Sequence, residues 1–221
     1  MSGLALASGR FHLLLLSLLL FFGGTAAAAG SRAERVVEVS LLALIIVAAV
    51  LDLRERGHRR SLAIALAAGV MLVSVVDLSV RIKHLPVLAG ALVVLVASLV
   101  VWRTYTAVMR RQRSVHDRIT GAICVYVLIG LAWAKVFETL DGVAPGRFRF
   151  PLDTDWVTPS PLRYRYFSLV TLATLGYGDV SPVTTLAGTL AWMEAITGQL
   201  YLAITVARLV ALSVADSAES T

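Results

Sequence analysis

The sequence predicts an all-α membrane protein with six membrane-spanning segments, and two observations lead to this fold class. The 221 residues are 58% hydrophobic, with a mean hydropathy of +0.81, which is too apolar for a soluble globular domain. The links between the long apolar runs also alternate between arginine-rich and arginine-poor. Because cytoplasmic links collect basic residues, this alternation predicts a multi-pass protein of the cell membrane with both termini cytoplasmic.

Charge and cysteine content exclude other classes. The formal net charge is +6, and in a membrane protein such an excess sets topology, so we expect no nucleic-acid partner. Cys124 is the single cysteine of the chain, so no intrachain disulfide is expected. We also find no nucleophile–base pair and no metal-ligand cluster, and the four histidines are scattered near the ends of the apolar segments (His12, His58, His84, His116). The sequence therefore predicts neither an enzyme nor a soluble substrate.

The first apolar run, residues 11–29, allows two interpretations. Its length is enough to cross a bilayer as a helix. Arg10 before a leucine-rich core and the alanines at 26–29 after it are also typical of a cleavable signal peptide. In both cases the chain begins inside and the second segment begins outside, so the topology downstream is the same.

Three further apolar segments complete a four-helix amino-terminal region, at about 36–53, 61–80 and 86–102. Glu38 lies near the start of the second segment, where a side chain reaches the membrane interface at little cost, so we interpret it as a structural residue. No basic residue occurs between positions 86 and 101, whereas a voltage-sensing helix carries regularly spaced arginines that cross the field. The arginines that follow lack a three-residue period and predict a linker lying on anionic headgroups.

The fifth apolar segment runs over about 119–140 and ends in an aromatic and charged boundary group made of Trp133, Lys135 and Glu138. The polar loop after it, residues 141–160, is rich in proline and glycine. This composition predicts an irregular extracellular turret.

A short helix is predicted next, over about 161–173. Ser160 supplies an N-cap and Pro161 occupies the first helical position. The helix is too short to cross a membrane, so we expect it to enter and leave on the same side, shielded by other helices. The last span follows at about 186–214.

Between this short helix and the last span lies an unusual stretch, Thr-Leu-Gly-Tyr-Gly-Asp at 174–179. Gly176 and Gly178 alternate with other residues, and glycine adopts the positive φ angles that other residues resist. Successive carbonyl groups can then point the same way. A row of carbonyl oxygens is the ligand set that replaces the water shell of an alkali cation.

These residues resemble the signature of the potassium-channel superfamily, Thr-Val-Gly-Tyr-Gly-Asp after a short pore helix. The resemblance implies a selectivity filter made of Thr174, Leu175, Gly176, Tyr177 and Gly178, with K⁺ bound at the first four. Leu175 departs from the usual valine. Because only its carbonyl faces the ion, we expect the leucine to be tolerated.

The resemblance also implies roles around the filter. Asp179 forms an acidic ring at the outer mouth that concentrates cations. Tyr166 and Phe167 occupy the aromatic-pair position of the pore helix and are expected to pack behind Tyr177 as a cuff. Glu138 is the candidate for an acid of the outer helix that braces the backbone just after the filter.

In the last helix, Gly198 occupies the position where the family bends to open, although simple close packing explains a glycine there equally well. Glu194 lies one turn earlier on the same face. The sequence leaves two roles open for it, a structural hydrogen-bond partner or a charge that tunes the cavity.

The resulting organisation is a sensor-like four-helix domain and linker (1–115), a pore domain (116–214) and a short cytoplasmic tail (215–221). From so short a tail we expect no cytoplasmic nucleotide- or calcium-binding domain. The resemblance is to the six-helix, single-pore-loop, voltage-gated-like type, here without a gating-charge helix. Since one pore loop per chain cannot close a filter, we expect a homotetramer in the lipid bilayer, with K⁺ as permeant ion and no organic cofactor.

The function expected from these features is passive, potassium-selective conduction with weak or no voltage dependence. The alternatives are a voltage-gated potassium channel with an atypical sensor, and a non-conducting scaffold or regulatory subunit. A potassium uptake transporter fits less well, because that class generally carries four degenerate pore loops in one long chain. The gating stimulus is not determined by the sequence.

Overall fold

The computed structural model describes residues 11–31, 34–52, 68–69, 85–109, 115–151 and 161–219. These residues form six helices: α1 His12–Ala28, α2 Glu34–Asp52, α3 Leu85–Val108, α4 Val115–Val143, α5 Pro161–Leu172 and α6 Thr185–Glu219. Two short strands, β1 Phe148–Arg149 and β2 Ser181–Pro182, flank α5 in the chain. The described residues therefore form a mostly helical protein, as predicted.

Three of these helices are long and apolar enough to cross a membrane, with spans at Val87–Val108, Val115–Val143 and Thr185–Ala215. They coincide with the fourth, fifth and last predicted segments. The helix α1 and the part Val36–Ile45 of α2 are apolar but shorter. Most of the third predicted segment, 61–80, lies outside the described residues, so the six-span arrangement stays a prediction.

The helix α4 is the centre of the packing, and contacts α1, α3, α5 and α6. On its amino-terminal half, the buried Cys124, Val125 and Leu128 pack with Phe11 and Leu14 from the start of α1. Gly121 allows this approach, because a Cβ there would meet the Phe11 ring at 2.7 Å. The first apolar segment thus packs directly on the helix that also supports α5.

The short helix α5 lies between α4 and α6. It begins at Pro161, as the proline at the first helical position predicts, and ends at Leu172. Ser160, the predicted N-cap, lies outside the described residues. The predicted turret differs from expectation in one respect, because its residues 148 and 149 form β1. Their antiparallel partners are Pro182 and Ser181, so this strand depends on a distant segment that no local pattern of the loop reveals.

Glu38, which the sequence indicates is a structural residue near the end of a span, forms an ion pair inside the protein. Its side chain is buried, and its Oε1 lies 2.7 Å from Nη2 of Arg165 on α5. The Arg165 guanidinium carbon also lies 4.9 Å from the centre of the Phe21 ring on α1. A buried carboxylate needs a partner of opposite charge, and α5 supplies it.

Candidate functional site

The backbone after α5 alternates in handedness. Thr174 has φ 56°, Gly176 has φ 59° and Gly178 has φ 80°, whereas Leu175 and Tyr177 do not have positive φ. Both glycines adopt the positive φ expected from the sequence. Thr174 does so as well, which is uncommon for a non-glycine residue and was not expected.

Residues 173–178 are exposed in the single chain. The side chain of Leu175 is 57% exposed and that of Tyr177 is 66% exposed. No described atom lies within 4 Å of the position that a Cβ would take at Gly176 or Gly178. The glycines are therefore required by the backbone angle, and not by lack of space.

Tyr166 supports this segment from behind. Its ring stacks on that of Tyr177, with centroids 6.5 Å apart and planes 18° apart. Its hydroxyl donates to Oδ2 of Asp179 at 2.5 Å, and the Val180 amide donates to Oδ1 of the same carboxylate at 2.9 Å. Tyr166 thus has the predicted contact with Tyr177, and its hydrogen bond to Asp179 is an addition that the sequence analysis missed.

Phe167 lies elsewhere. Its ring centre is 5.1 Å from that of Phe137 on α4 and 5.3 Å from that of Phe148 on β1. Consecutive side chains of a helix point about 100° apart, so Tyr166 and Phe167 face different neighbours. In the described structure the cuff contact with Tyr177 comes from Tyr166, and Phe167 contributes to the core between α4 and α5.

Two acids lie near the end of α4, and they have different surroundings. Glu138 accepts a hydrogen bond from Lys135 at 2.9 Å, and its bracing role stays a prediction. Asp141 is buried and accepts hydrogen bonds from the Arg147 amide at 2.9 Å and the Tyr164 hydroxyl at 2.5 Å.

Asp141 also connects α4 to the backbone that follows the glycine motif. The Arg147 amide, which it binds, precedes β1, and the Arg147 carbonyl accepts a hydrogen bond from the Val183 amide at 2.9 Å. Asp141 is not among the site residues predicted from the sequence. The only feature of the sequence that could have indicated Asp141 is its position one helical turn after Glu138. Both are acids on the same face of the helix, so residue type alone does not show which of them binds the backbone.

Two residues of α6 face α5, as their spacing predicts. Glu194 is fully buried and is hydrogen-bonded to Ser168, with Oε1 and Oγ 2.5 Å apart. A Cβ at Gly198 would overlap the carbonyl oxygen of Leu172 and lie 3.0 Å from its Cδ1. On the next residue, the Gln199 amide donates to the Thr174 hydroxyl at 3.3 Å. The structure therefore shows close packing at Gly198, and its predicted bending role remains a prediction.

Gly198→Ala is expected to destabilise the protein, because the added methyl must displace the end of α5 just before Thr174. Overpacking of this kind costs roughly 1–3 kcal/mol. The measurement is thermal unfolding of the detergent-solubilised protein. Gly188→Ala is the matched control, since no described atom lies within 4 Å of its Cβ position and alanine favours the helix. Equal melting temperatures for the two variants would contradict the close approach.

Comparison with known proteins adds two findings. Residues 122–214 match the protein family described as "Ion channel", which covers most of α4, α5 with the glycine motif, and α6. The chain is also 36% identical over 87 residues to the inward rectifier potassium channel Kirbac3.1 of Paramagnetospirillum magnetotacticum. That alignment covers 39% of this chain and 25% of the relative, so the chain spans about a quarter of the length of that protein. No solved structure matches the chain significantly.

These likenesses indicate a channel and not an enzyme, and they support the potassium-channel superfamily. The family match begins at residue 122, so it does not include α1, α2 or α3. The similarity to ion channels therefore lies in the region that contains residues 174–178, where the sign of φ alternates.

Proposed function

We propose that this chain is one subunit of a homotetrameric, potassium-selective channel that passes K⁺ passively down its electrochemical gradient. The observation that carries the proposal is the alternation of positive φ at Thr174, Gly176 and Gly178, within the region that matches ion channels. Alternating handedness lets successive carbonyl groups point to one side of the chain.

Carbonyl oxygens are hard, neutral ligands that replace the hydration shell of K⁺ in such filters. In this proposal the carbonyls of Thr174, Leu175, Gly176 and Tyr177 bind the ion, and Gly178 completes the segment. The helix α5 ends directly before it, and the partly negative carboxyl end of a helix favours a cation nearby. Asp179 adds a negative charge at the outer end of the segment. No organic cofactor is needed.

The exposure of this segment supports the tetramer. Irregular backbone at membrane depth is tolerated only where protein covers it or where it lines a watery cavity. In the single chain, Leu175 and Tyr177 are more than half exposed. Four chains around one axis give this segment a water-filled lumen on one side and protein on the other.

Weak voltage dependence is proposed from the composition of α3. Its span, Val87–Val108, carries Arg103 as its only basic residue. A voltage sensor moves several charges across the field, each contributing about 2.3 kcal/mol per 100 mV. One charge near a helix end cannot produce a steep response. We place the channel in the cell membrane with both termini cytoplasmic, as the positive-inside rule indicates.

The test is current through the purified full chain in a planar bilayer, with K⁺ on one side and Na⁺ on the other, during a voltage ramp. We expect reversal near the K⁺ equilibrium potential and an open probability that changes little with voltage. Reversal near zero would contradict potassium selectivity, and a steep rise with voltage would contradict the missing sensor. If the current through bilayers with the protein is no larger than through protein-free bilayers, a non-conducting scaffold would be favoured.

A further inference from the structure

Ser168, in the middle of α5, joins three helices through one hydroxyl group. Its Oγ lies 2.6 Å from the carbonyl oxygen of Gly130 on α4 and 2.5 Å from Oε1 of Glu194 on α6. All three residues are buried, and the side chains of Ser168 and Glu194 are both 0% exposed. This contact lies one and a half turns before Thr174.

A second level of contacts follows one helical turn further along α5. The Tyr126 hydroxyl on α4 donates to the Leu172 carbonyl at 3.2 Å, and Gly198 on α6 packs against the same carbonyl group. Both levels therefore hold α5 between the same two helices. Only the first level depends on a carboxyl group.

The hydrogen-bond inventory at Ser168 allows two arrangements, in which its proton is directed either to the Gly130 carbonyl or to Glu194. A serine hydroxyl has one proton, and a backbone carbonyl can only accept. If the Ser168 proton is directed to the Gly130 carbonyl, the contact with Glu194 requires a proton from the carboxyl group. A protonated glutamic acid supplies it.

The surroundings of Glu194 agree with a neutral acid. Its Oε2 is buried without a hydrogen-bond partner among the described residues. The salt bridges of the described residues involve Glu38, Glu138 and Asp141, and none involves Glu194. An ionised carboxylate would lie there without a compensating charge, which is far more costly than a buried neutral carboxyl.

We propose that Glu194 is a positioning residue of the pore, whose neutral carboxyl group donates a hydrogen bond to Ser168 and so fastens α6 to α5 and α4. Ser168 in turn donates a hydrogen bond to the Gly130 carbonyl on α4. This holds the end of α5 in place, and the backbone of residues 174–178 starts from that end. The inference rests on the proposed function, and it assigns Glu194 the hydrogen-bonding role instead of a charge in the cavity.

Four variants of the full chain test this role in bilayers containing K⁺ and Na⁺. Glu194→Gln keeps a neutral side chain that can donate to Ser168, and is expected to leave the K⁺/Na⁺ permeability ratio and the duration of conducting bursts within about twofold of the original. Glu194→Leu and Ser168→Ala remove the connection and are expected to reduce burst duration by about tenfold, the equivalent of one buried hydrogen bond. The double variant should be no worse than Glu194→Leu alone, because both changes break the same connection.

Thr197→Val is the matched control, since the Thr197 hydroxyl bonds only to the Met193 carbonyl of its own helix among the described residues. It is expected to leave both quantities unchanged. Additive effects of Ser168→Ala and Glu194→Leu would overturn the proposal. So would a Glu194→Gln variant as impaired as Glu194→Leu, because that result would mean that the negative charge is required.

Infrared difference spectroscopy tests the proton independently of conduction. The spectrum of the original protein minus that of Glu194→Gln is expected to show the C=O stretch of a protonated carboxyl group in a dry environment. A carboxylate band instead would overturn the proposal, even if the leucine variant fails to assemble. If the original protein passes no K⁺ current, the proposed function fails, whereas the infrared result still decides the state of Glu194.

Discussion

Gly176→Ala is expected to abolish potassium-selective current. The alanine Cβ meets no described atom within 4 Å, but Gly176 has φ 59°, and a side chain in this left-handed region costs roughly 1–2 kcal/mol. In a homotetramer the strain occurs four times around one axis, which amounts to about 4–8 kcal/mol. The backbone is therefore expected to leave positive φ and to turn a carbonyl group away from the ion path.

The measurement is the reversal potential under opposed K⁺ and Na⁺ gradients, together with the amplitude of the K⁺ current. Gly178→Ala should have the same effect, because Gly178 has φ 80° and open space around its Cβ position. The control Gly188→Ala makes the same chemical change inside α6, also in open space but in helical backbone, and should conduct normally. Normal selectivity in Gly176→Ala would contradict the filter and favour a scaffold.

The second large effect is expected at the ion pair between Glu38 and Arg165. Both side chains are nearly enclosed, with exposed fractions of 11% and 6%. Removing one partner of a buried pair leaves an uncompensated charge and costs about 3–5 kcal/mol. Glu38→Gln and Arg165→Gln are each expected to lower the thermal stability of the solubilised protein strongly and to loosen α2 from α5.

The double variant Glu38→Gln/Arg165→Gln separates this cause from a general loss of packing. It leaves no unpaired charge, so it should be more stable than either single variant. The pair Lys135–Glu138 serves as comparison, because its side chains are only partly buried, at 24% and 29% exposed, and solvent screens a charge left there better than one left fully enclosed. The buried pair would be contradicted if the losses of thermal stability in Glu38→Gln and Arg165→Gln added up in the double variant. It would also be contradicted if either single variant lost no more stability than Glu138→Gln.

If the pair has this effect, the amino-terminal helices are structural partners of α5. Arg165 is one residue before Tyr166, which stacks on Tyr177. A change at Glu38 is therefore expected to reach the glycine motif through α5. The sequence alone predicts residues 1–115 as a separate sensor-like region and does not indicate this connection.

Features that depend only on composition or on neighbouring residues could be predicted from the sequence alone. Pro161 begins α5 because its fixed φ fits the first turn of a helix. Gly176 and Gly178 adopt positive φ because they lack a Cβ. Apolar composition determined the helical membrane class, since backbone groups in lipid must be satisfied within a helix. Each of these causes acts within a few residues or through composition alone, so it is visible in the chain.

Which distant residues come into contact depends on the packing of the helices and could not be predicted from the sequence. Arg165 was available on α5, but no local pattern assigns it to Glu38 on α2. Asp141 rather than Glu138 is bound to the backbone near β1, and Ser168 rather than solvent is the partner of Glu194. The positive φ of Thr174 likewise could not be predicted, because a non-glycine residue rarely adopts it. Partner choice depends on how distant helices pack, because a buried polar group binds whichever complementary group the fold brings to it.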